Sequence, residues 1–346
     1  MKLTFYTHTL FFKYPFKIAH GSRISTPIVI TEIECDGLIG YGEASMPPYL
    51  GETHETAVSF LSEAEKIVKR YPTPFEMETI ISEIDLLLPN NTAAKASVDI
   101  ALHDLQGKIL NKPCWQLVNL NKKDTPFTTH TIGIDSPEII KQKIIEATDY
   151  RILKIKLNGE NDKLIINTIR NYTDKPIAID VNQGWKVKEH ALEMIEWLYN
   201  KNVLFIEQAL PKGNLEDAFW LRERSNLPLF ADESVQRYND IDKIKDAFDG
   251  INIKLMKCTG MFEAYKMMLK ARELKLKILI GCMSETSCAI SAAAQLSPMA
   301  DYADLDGALL IKEDVFDGIT FNKGKIMLNE KAGIGVERRL EIKLMR

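Results

Sequence analysis

The sequence predicts an α/β chain in which a small α+β region precedes a parallel β/α barrel. Three observations point there. Residues 2–13, 26–36 and 39–44 are patterned as β-strands, and helical patterning follows them. From about residue 126 short apolar strands alternate with amphipathic stretches, and corresponding points fall some 22 to 27 residues apart, eight times over. Parallel strands need that spacing, because each is reached by a long crossover. The rival architecture, an open doubly wound sheet, usually carries a Gly-rich phosphate loop after its first strand. Here His130-Thr-Ile-Gly-Ile-Asp-Ser136 contains no G-x-G-x-x-G.

The first three strands read as an antiparallel meander with turns at Asp36-Gly37 and around Gly21. Helices are expected at 53–70, 74–88 and 91–110. In the last, Ala94, Val98, Ala101, Leu102, Leu105 and Ile109 recur at helical spacing between an Asn-Asn-Thr start and Lys112-Pro113. Barrel strands are expected at 130–134, 153–157, 177–181, 204–207, 229–232, 251–255, 278–281 and 302–305. The intervening helices fall at 137–148, 162–171, 187–199, 214–224, 241–248, 262–274 and 285–296. Ser136-Pro137-Glu138 is a good helix start, with a cap and a proline in the first turn. Beyond Leu305 about 40 residues remain, with short strands at 319–321 and 325–327 that fold back on the first region.

Composition narrows the function. Of 346 residues, 45% are apolar and 27% charged, a globular balance with material for a large core. Forty-four basic and 48 acidic side chains leave a net charge of −4, without the positive field that nucleic-acid binding uses. No apolar run approaches the ~18 to 20 residues of a membrane span. The opening MKLTFYTHTLFFKYPF is interrupted by polar residues and lacks a cleavage site, so it reads as a strand. Cys35, Cys114, Cys258, Cys282 and Cys288 are scattered, odd in number and never in C-x-x-C, which argues against a disulfide framework or a thiolate metal site. The expectation is a cytoplasmic protein with neither nucleic acid nor membrane as partner.

In a parallel barrel the chemistry sits at the C-terminal ends of the strands. The second strand ends Leu153-Lys154-Ile155-Lys156-Leu157, and strand alternation points both lysines the same way. The third, fourth and fifth end on Asp180, Glu207 and Asp232, the sixth carries Lys254, and the eighth carries Asp304-Leu305-Asp306. Three hard oxygen ligands with no nearby His or Cys favour Mg²⁺, with Mn²⁺ as a substitute, over zinc. Lysines flanking such an ion make sense as proton carriers, since burial, mutual repulsion and a nearby cation all lower an ammonium's pKa. A base on each side can take a proton from one face of a carbon and return one to the other. Of the six histidines none stands at metal spacing with another; His130 reads as packed, Cys282 and Cys288 as small core or site-lining residues, and Met267, Met268 and Trp197 as helix packing.

These residues resemble the enolase superfamily, specifically the dipeptide epimerases of its muconate-lactonizing subgroup. The matching segments are Lys154-Ile-Lys156, Asp180-Val-Asn-Gln-Gly-Trp185, Ile206-Glu207-Gln208, Ala231-Asp232-Glu233-Ser234 and Asn252-Ile-Lys254-Leu-Met-Lys257. Residues 93–108 and Gly40-Tyr-Gly-Glu43-Ala44 look like that family's first domain. The resemblance implies a modified (β/α)7β TIM-like barrel (126–310) under an N-terminal α+β capping domain (1–125), completed by a C-terminal tail (311–346). It implies Asp180, Glu207 and Asp232 as ligands of one Mg²⁺ per subunit, and Lys156 and Lys254 as acid/base catalysts on opposite faces of the substrate carbon. Lys154 would neutralise the substrate carboxylate and lower the pKa of Lys156. The shared step is abstraction of a proton α to a carboxylate, through an enediolate stabilised electrostatically.

The D-x-D at Asp304 and Asp306 resembles the dipeptide epimerases, where it receives the free ammonium of the N-terminal residue. Gly281-Cys-Met283-Ser284-Glu-Thr286 is similar to the segment whose backbone meets the peptide unit. One departure bears on specificity. Ala-Glu epimerases carry an arginine shortly after a Pro-Phe-Lys segment, where this chain has Pro15-Phe-Lys-Ile-Ala-His20, then Gly21, with Arg23 two residues on. With Phe16, Ile18 and His20 nearby, the expectation leans to a neutral or apolar second residue, Arg23 remaining a candidate contact. The alternatives are Ala-Glu specificity, an o-succinylbenzoate synthase, an N-succinylamino-acid racemase, a muconate-type cycloisomerase, or a metal-dependent hydrolase on the same barrel. A small dipeptide is the expected partner, and a homo-oligomer stays open.

Overall fold

The computed structural model describes residues 1–18 and 21–339, with the side chains of 16–18 also left out. The side chains of Phe16 and Ile18, and all of His20, which bear on the specificity expectation, therefore lie outside the described residues. So does the end of the tail, 340–346.

Strands β1 (Lys2–Ile18), β2 (Gly21–Cys35) and β3 (Leu38–Ser45) form the antiparallel meander. Asp36 and Gly37 both take positive φ, 50° and 78°, as a two-residue hairpin with a twist matched to its strands demands. The first hairpin runs five residues beyond the expected end of β1 at residue 13. Its register shifts between Phe11 and Phe16, which breaks the alternation that would have marked the strand's continuation. Three helices follow, His54–Val68, Met77–Asp85 and Thr92–Ile109. Thr53 caps the first, its hydroxyl accepting from Thr56 N at 3.3 Å while Thr53 N donates to Thr56 Oγ1 at 2.9 Å. The third is buried on almost every side and lies directly on β3. Gly42 permits this, since a Cβ there would collide with the Ser97 carbonyl oxygen.

Eight parallel strands make the barrel: β4 (Thr129–Ile132), β5 (Ile152–Lys156), β6 (Ile177–Asp180), β7 (Val203–Glu207), β8 (Leu229–Ala231), β9 (Gly250–Lys254), β10 (Lys277–Gly281) and β11 (Tyr302–Asp304), hydrogen-bonded in chain order. A bridge from Thr128 to Ala303, and Leu305 N donating to Thr128 Oγ1 at 2.8 Å, bring the last strand back to the first. Inside the barrel, Phe205 stacks on Phe230 at 4.5 Å and on Tyr302 at 5.0 Å, a solid apolar base beneath the mouth. An α-helix fills each of the seven gaps between strands, and among the described residues only a 3-10 turn, Gly307–Leu309, follows β11. The helix expected at 241–248 keeps only Ile241–Ile244. Asp249 N donates to Leu229 O of β8 at 2.8 Å and the Asp249 carboxylate accepts from Leu229 N at 2.9 Å, which pulls the preceding residues out of helix to feed β9.

The tail returns to the N-terminal region. Its strands Phe316–Asp317 and Glu337–Arg338 pair with each other, as do Thr320–Asn322 and Lys325–Met327. Arg338 then reaches Glu32 on β2 at 2.5 Å, and Ile334 N donates to Asp104 of the third helix at 2.9 Å.

Two carboxylates from the N-terminal region cap two barrel helices. Glu43 on β3 accepts from Thr286 N at 2.9 Å, from the Thr286 hydroxyl and from Ala289 N at 3.3 Å, at the start of helix Ser287–Leu296. Asp99 accepts from Met261 N at 2.5 Å and Phe262 N at 3.2 Å, at the start of helix Met261–Glu273. Each anion satisfies amides that a helix end leaves unpaired. Glu43→Ala and Asp99→Ala should each lower the unfolding free energy by about 2 kcal/mol in urea titrations.

Burial pushes Glu43 up to about 7, and burial followed by the Glu43 charge pushes Glu285 up to about 8. Between their ordinary range and these values the folded chain holds protons that the unfolded chain has released. Their contribution to stability is therefore present at low pH and lost as pH rises from about 5 to about 8. Glu285→Gln should flatten part of that decline in thermal melts taken across the same range.

Candidate active site

The register of the barrel assembles the site. Lys156 pairs with Asp180, Asp180 with Glu207, and Gly281 with both Lys254 and Asp304, so these positions share one level of the mouth. Asp232 follows directly on the end of β8. Lys156 and Lys254 stand on the second and sixth of eight strands, across the barrel from each other, and the three acids occupy the strands between.

All three acids are buried, and one carboxylate oxygen from each lies within 4.8 Å of the others. Lys154, also buried, places its Nζ 2.6 Å from Asp304, 2.8 Å from Glu207 and 3.1 Å from Asp180. The Glu207 contact lacks hydrogen-bond geometry, and Glu207 Oε2 has no hydrogen-bond partner. Its other oxygen accepts from Asn252 at 2.6 Å. Lys156 Nζ is 2.6 Å from Asp180, and Lys254 Nζ is 2.8 Å from Asp232. Asp304 also accepts from the Thr129 hydroxyl at 2.6 Å, and Asp306 from Thr131 N at 2.6 Å.

A cavity of about 270 Å³ opens above this level. Lys156, Lys254, Asp232, Asp304, Asp306, Met283, Ser284 and Arg23 all line it, while Lys154, Asp180 and Glu207 lie beneath. The structure thus brings every sequence-predicted residue into one place. Arg23 Nη1 is buried there without a hydrogen-bond partner. Cys282 lines the cavity, Cys288, Met267 and Met268 are core, and Trp197 is half-buried against the Lys163 and Lys201 ammoniums. His130 stacks on Tyr150 at 4.7 Å, and burial brings it down to about 4.

The expectation of lowered lysine pKa values counted a cation among the acids; the protein's own groups, without one, push Lys154 and Lys254 the other way. Burial alone would depress Lys154, but Asp304, Glu207 and Asp180 hold it well above its usual range. Burial likewise opposes Lys254, and Asp232 outweighs it. Sequence reasoning counted burial, repulsion between lysines and a nearby cation, and left out the carboxylate that each ammonium touches.

The acids divide by what they touch. Burial raises Asp180, but Lys156 and Lys154 outweigh it and bring it down to about 2. Burial also opposes ionisation of Asp232 and of Asp304, yet lysines hold both below the carboxylate range. Glu207 is pushed up to about 7 by burial and the Asp180 charge, Glu233 to about 7 by burial and Asp232, and Asp306 to about 7 by burial and Asp304. Those six carboxylates lie among four lysines, 154, 156, 254 and 257, with Arg23 and Lys212 also on the cavity wall. The three clustered carboxylate donors and the oxygen without a hydrogen bond on Glu207 fit a hard divalent ion.

Several site residues escaped the sequence reading. Glu233 neighbours Asp232, and strict alternation would turn it away; β8 has already ended at Ala231, so alternation no longer applies. Gln208 takes φ 40° and accepts Asp232 N and Ser234 N, each at 3.0 Å, holding the turn that aims Asp232. Lys257, quoted as part of a motif but given no role, donates to Asp232 Oδ1 at 2.5 Å, Asp232 O at 2.7 Å, and Val235 O and Asn252 O at 3.0 Å. Tyr49 and Asn182 also line the cavity.

Comparison with known proteins places the chain. Residues 2–119 match the mandelate racemase / muconate lactonizing enzyme N-terminal domain, and 140–342 match the enolase C-terminal domain-like model. The chain belongs to the mandelate racemase / muconate lactonizing enzyme family of the enolase superfamily. It is 53% identical over 337 residues to an L-Ala-D/L-Glu epimerase of Bacteroides thetaiotaomicron, covering 97% of this chain and 88% of that one. It is 35% identical to an L-Ala-D/L-amino acid epimerase of Pedosphaera parvula, covering 93% and 94%. It also resembles the crystal structure of a dipeptide epimerase from Enterococcus faecalis complexed with Mg and L-Leu-L-Tyr, with TM-score 0.90, 30% identity, and 97% and 99% of the two chains covered.

Lys257 is buried, and its loss would leave Asp232 Oδ1 and the carbonyls of Asp232, Val235 and Asn252 without this donor, with Lys254 remaining on Asp232 Oδ2. Lys257→Met should cost about 3–5 kcal/mol in urea unfolding. A loss below about 1 kcal/mol, the worth of an exposed pair, would show that Asp232 does not depend on it.

Proposed function

We propose that this chain is a Mg²⁺-dependent dipeptide epimerase that inverts Cα of the C-terminal residue of a small dipeptide. The observation that carries it is the placing of Lys156 and Lys254 on opposite sides of the barrel mouth, with the carboxylate arc between them and Asp304 and Asp306 closing the far end. Asp180, Glu207 and Asp232 would hold the ion, and Mn²⁺ would serve there, since it favours the same oxygen donors. The bound ion supplies positive charge against the negative charge that develops on the substrate carboxylate when Cα loses its proton.

The chain's own residues do the rest. One lysine, as neutral amine, takes the Cα proton: the Cα–H bond breaks and an Nζ–H bond forms. The other, as ammonium, returns a proton to the opposite face, so configuration inverts with no net redox change. Lys154, fixed by three carboxylates, remains a permanent cation beside the reacting carboxylate. The substrate's ammonium would sit against Asp304 and Asp306, opposing the burial and the Asp304 charge that push Asp306 up to about 7.

Arg23 redirects the specificity reading. Its buried guanidinium, with Nη1 unpartnered at the cavity wall, fits an acidic side chain on the second residue better than a neutral one. The Bacteroides thetaiotaomicron relative is named for L-Ala-D/L-Glu, which supports that reading.

In D₂O with Mg²⁺, L-Ala-L-Glu should gain deuterium at the glutamate Cα with inversion, read by mass and chiral analysis. Hydrolysis, loss of water or no exchange would move the assignment to a rival. Lys156→Ala and Lys254→Ala should each cut epimerisation by about 10²–10⁴-fold. Each variant should still exchange the Cα proton of the one epimer whose proton faces the surviving lysine. Arg23→Gln should raise KM for L-Ala-L-Glu by about 10–100-fold and that for L-Ala-L-Leu far less; equal effects would restore the neutral preference.

A further inference from the structure

A second cavity of about 250 Å³ lies between β1 and the first barrel strand, lined by Phe12, Tyr14, Pro15, His130, Tyr150 and Leu309 among others. Thr131 and Leu310 line both it and the catalytic cavity, so these two residues form the partition. The partition stands at the D-x-D end. Thr131 N donates to Asp306 at 2.6 Å and its hydroxyl meets the same carboxylate at 3.3 Å. Burial, and after it the Asp306 charge, push the Tyr150 phenol up to about 12, so the Asp306 field reaches the second cavity.

Thr131 is held by its bonds to Asp306. The Leu310 backbone is also held, its carbonyl accepting from Lys13 N at 2.9 Å and its amide donating to Gly307 O at 3.2 Å, while Lys312 N donates to Phe11 O at 2.8 Å. Only the Leu310 side chain is left to set how thick the partition is. The dipeptide's N-terminal Cα is one bond from the ammonium that the D-x-D would hold, so its side chain starts beside this partition.

We infer that Leu310 determines specificity for the first residue, its side chain closing off a preformed pocket that would otherwise receive a large N-terminal side chain. This rests on the epimerase reading. Phe12, Pro15, Tyr150 and Leu309 offer an aliphatic or aromatic group its contacts, while Lys13, Lys143, Glu146 and the buried, unpartnered His130 Nδ1 suit a polar tip such as the tyrosine hydroxyl. Wild type is a small-first-residue enzyme for this reason, since a side chain that does not fit behind Asp306 meets Leu310.

The test is kcat/KM for epimerisation of L-Ala-L-Glu, L-Leu-L-Glu and L-Tyr-L-Glu. Wild type should favour alanine by at least ~10-fold, and Leu310→Ala should move the ratio toward leucine and tyrosine by at least ~10-fold. Adding Leu309→Trp, which fills the second cavity from a position lining that cavity alone, should cancel the gain. Leu310→Val should give a smaller shift in the same direction, and serves if the alanine variant does not fold. The inference is overturned if wild type accepts the large residues equally, if a folded Leu310 variant leaves the ratio within about twofold of wild type, or if Leu309→Trp does not reverse the gain. Absence of Cα exchange with every dipeptide, L-Ala-L-Glu included, would instead sink the epimerase reading on which the inference stands.

Discussion

The constraint on which the rest depends is charge balance in a dry barrel mouth. Isolated buried carboxylates or ammoniums would each cost several kcal/mol, far more than a marginally stable fold can absorb. Here none is isolated. Lys154 touches three carboxylates, Asp232 touches two lysines, and Asp180 touches two. Burial and then a neighbouring carboxylate push Glu207, Glu233 and Asp306 up to about 7. A divalent ion beside Glu207 and a substrate ammonium beside Asp306 would each offset that repulsion.

The fold supplies the positions. Parallel pairing puts Lys156, Asp180 and Glu207 level, and the shared partner Gly281 puts Lys254 level with Asp304. The aromatic base of Phe205, Phe230 and Tyr302 keeps the charged level from sinking into the barrel. Above, β1 and β2 bring Arg23 to the cavity and β3 brings Glu43 to the start of a barrel helix. Caps made across the two regions couple helix ends to the N-terminal sheet, so the lid of the cavity and its floor are fixed to each other.

Much of this was legible in the amino-acid order because alternation and spacing carry geometric information. Lys154 and Lys156 two residues apart must share a face of β5, and acids at the ends of three consecutive strands must converge. What failed did so where regular structure stops. The first hairpin shifts register between Phe11 and Phe16, so the alternation of its inner part does not carry through to its end. Glu233 and Gln208 act from turns where alternation has lapsed, Gln208 through a left-handed backbone. The carboxylates that hold up Lys154 escaped the reading because neighbours in space, Asp304 and Glu207, are far apart from it in sequence. Arg23 stands two residues from the expected place, and only the course of β2 shows that it still reaches the cavity.

The central claim is that one substrate carbon sits between two amines beside a carboxylate-held ion. A crystal structure of the chain with Mg²⁺ and L-Ala-L-Glu tests it most directly. The account predicts the ion on Asp180, Glu207 and Asp232, the ammonium at Asp304 and Asp306, and Lys156 and Lys254 facing the glutamate Cα from opposite sides. Both amines on one side of that carbon, or an ion bound away from the three acids, would contradict it.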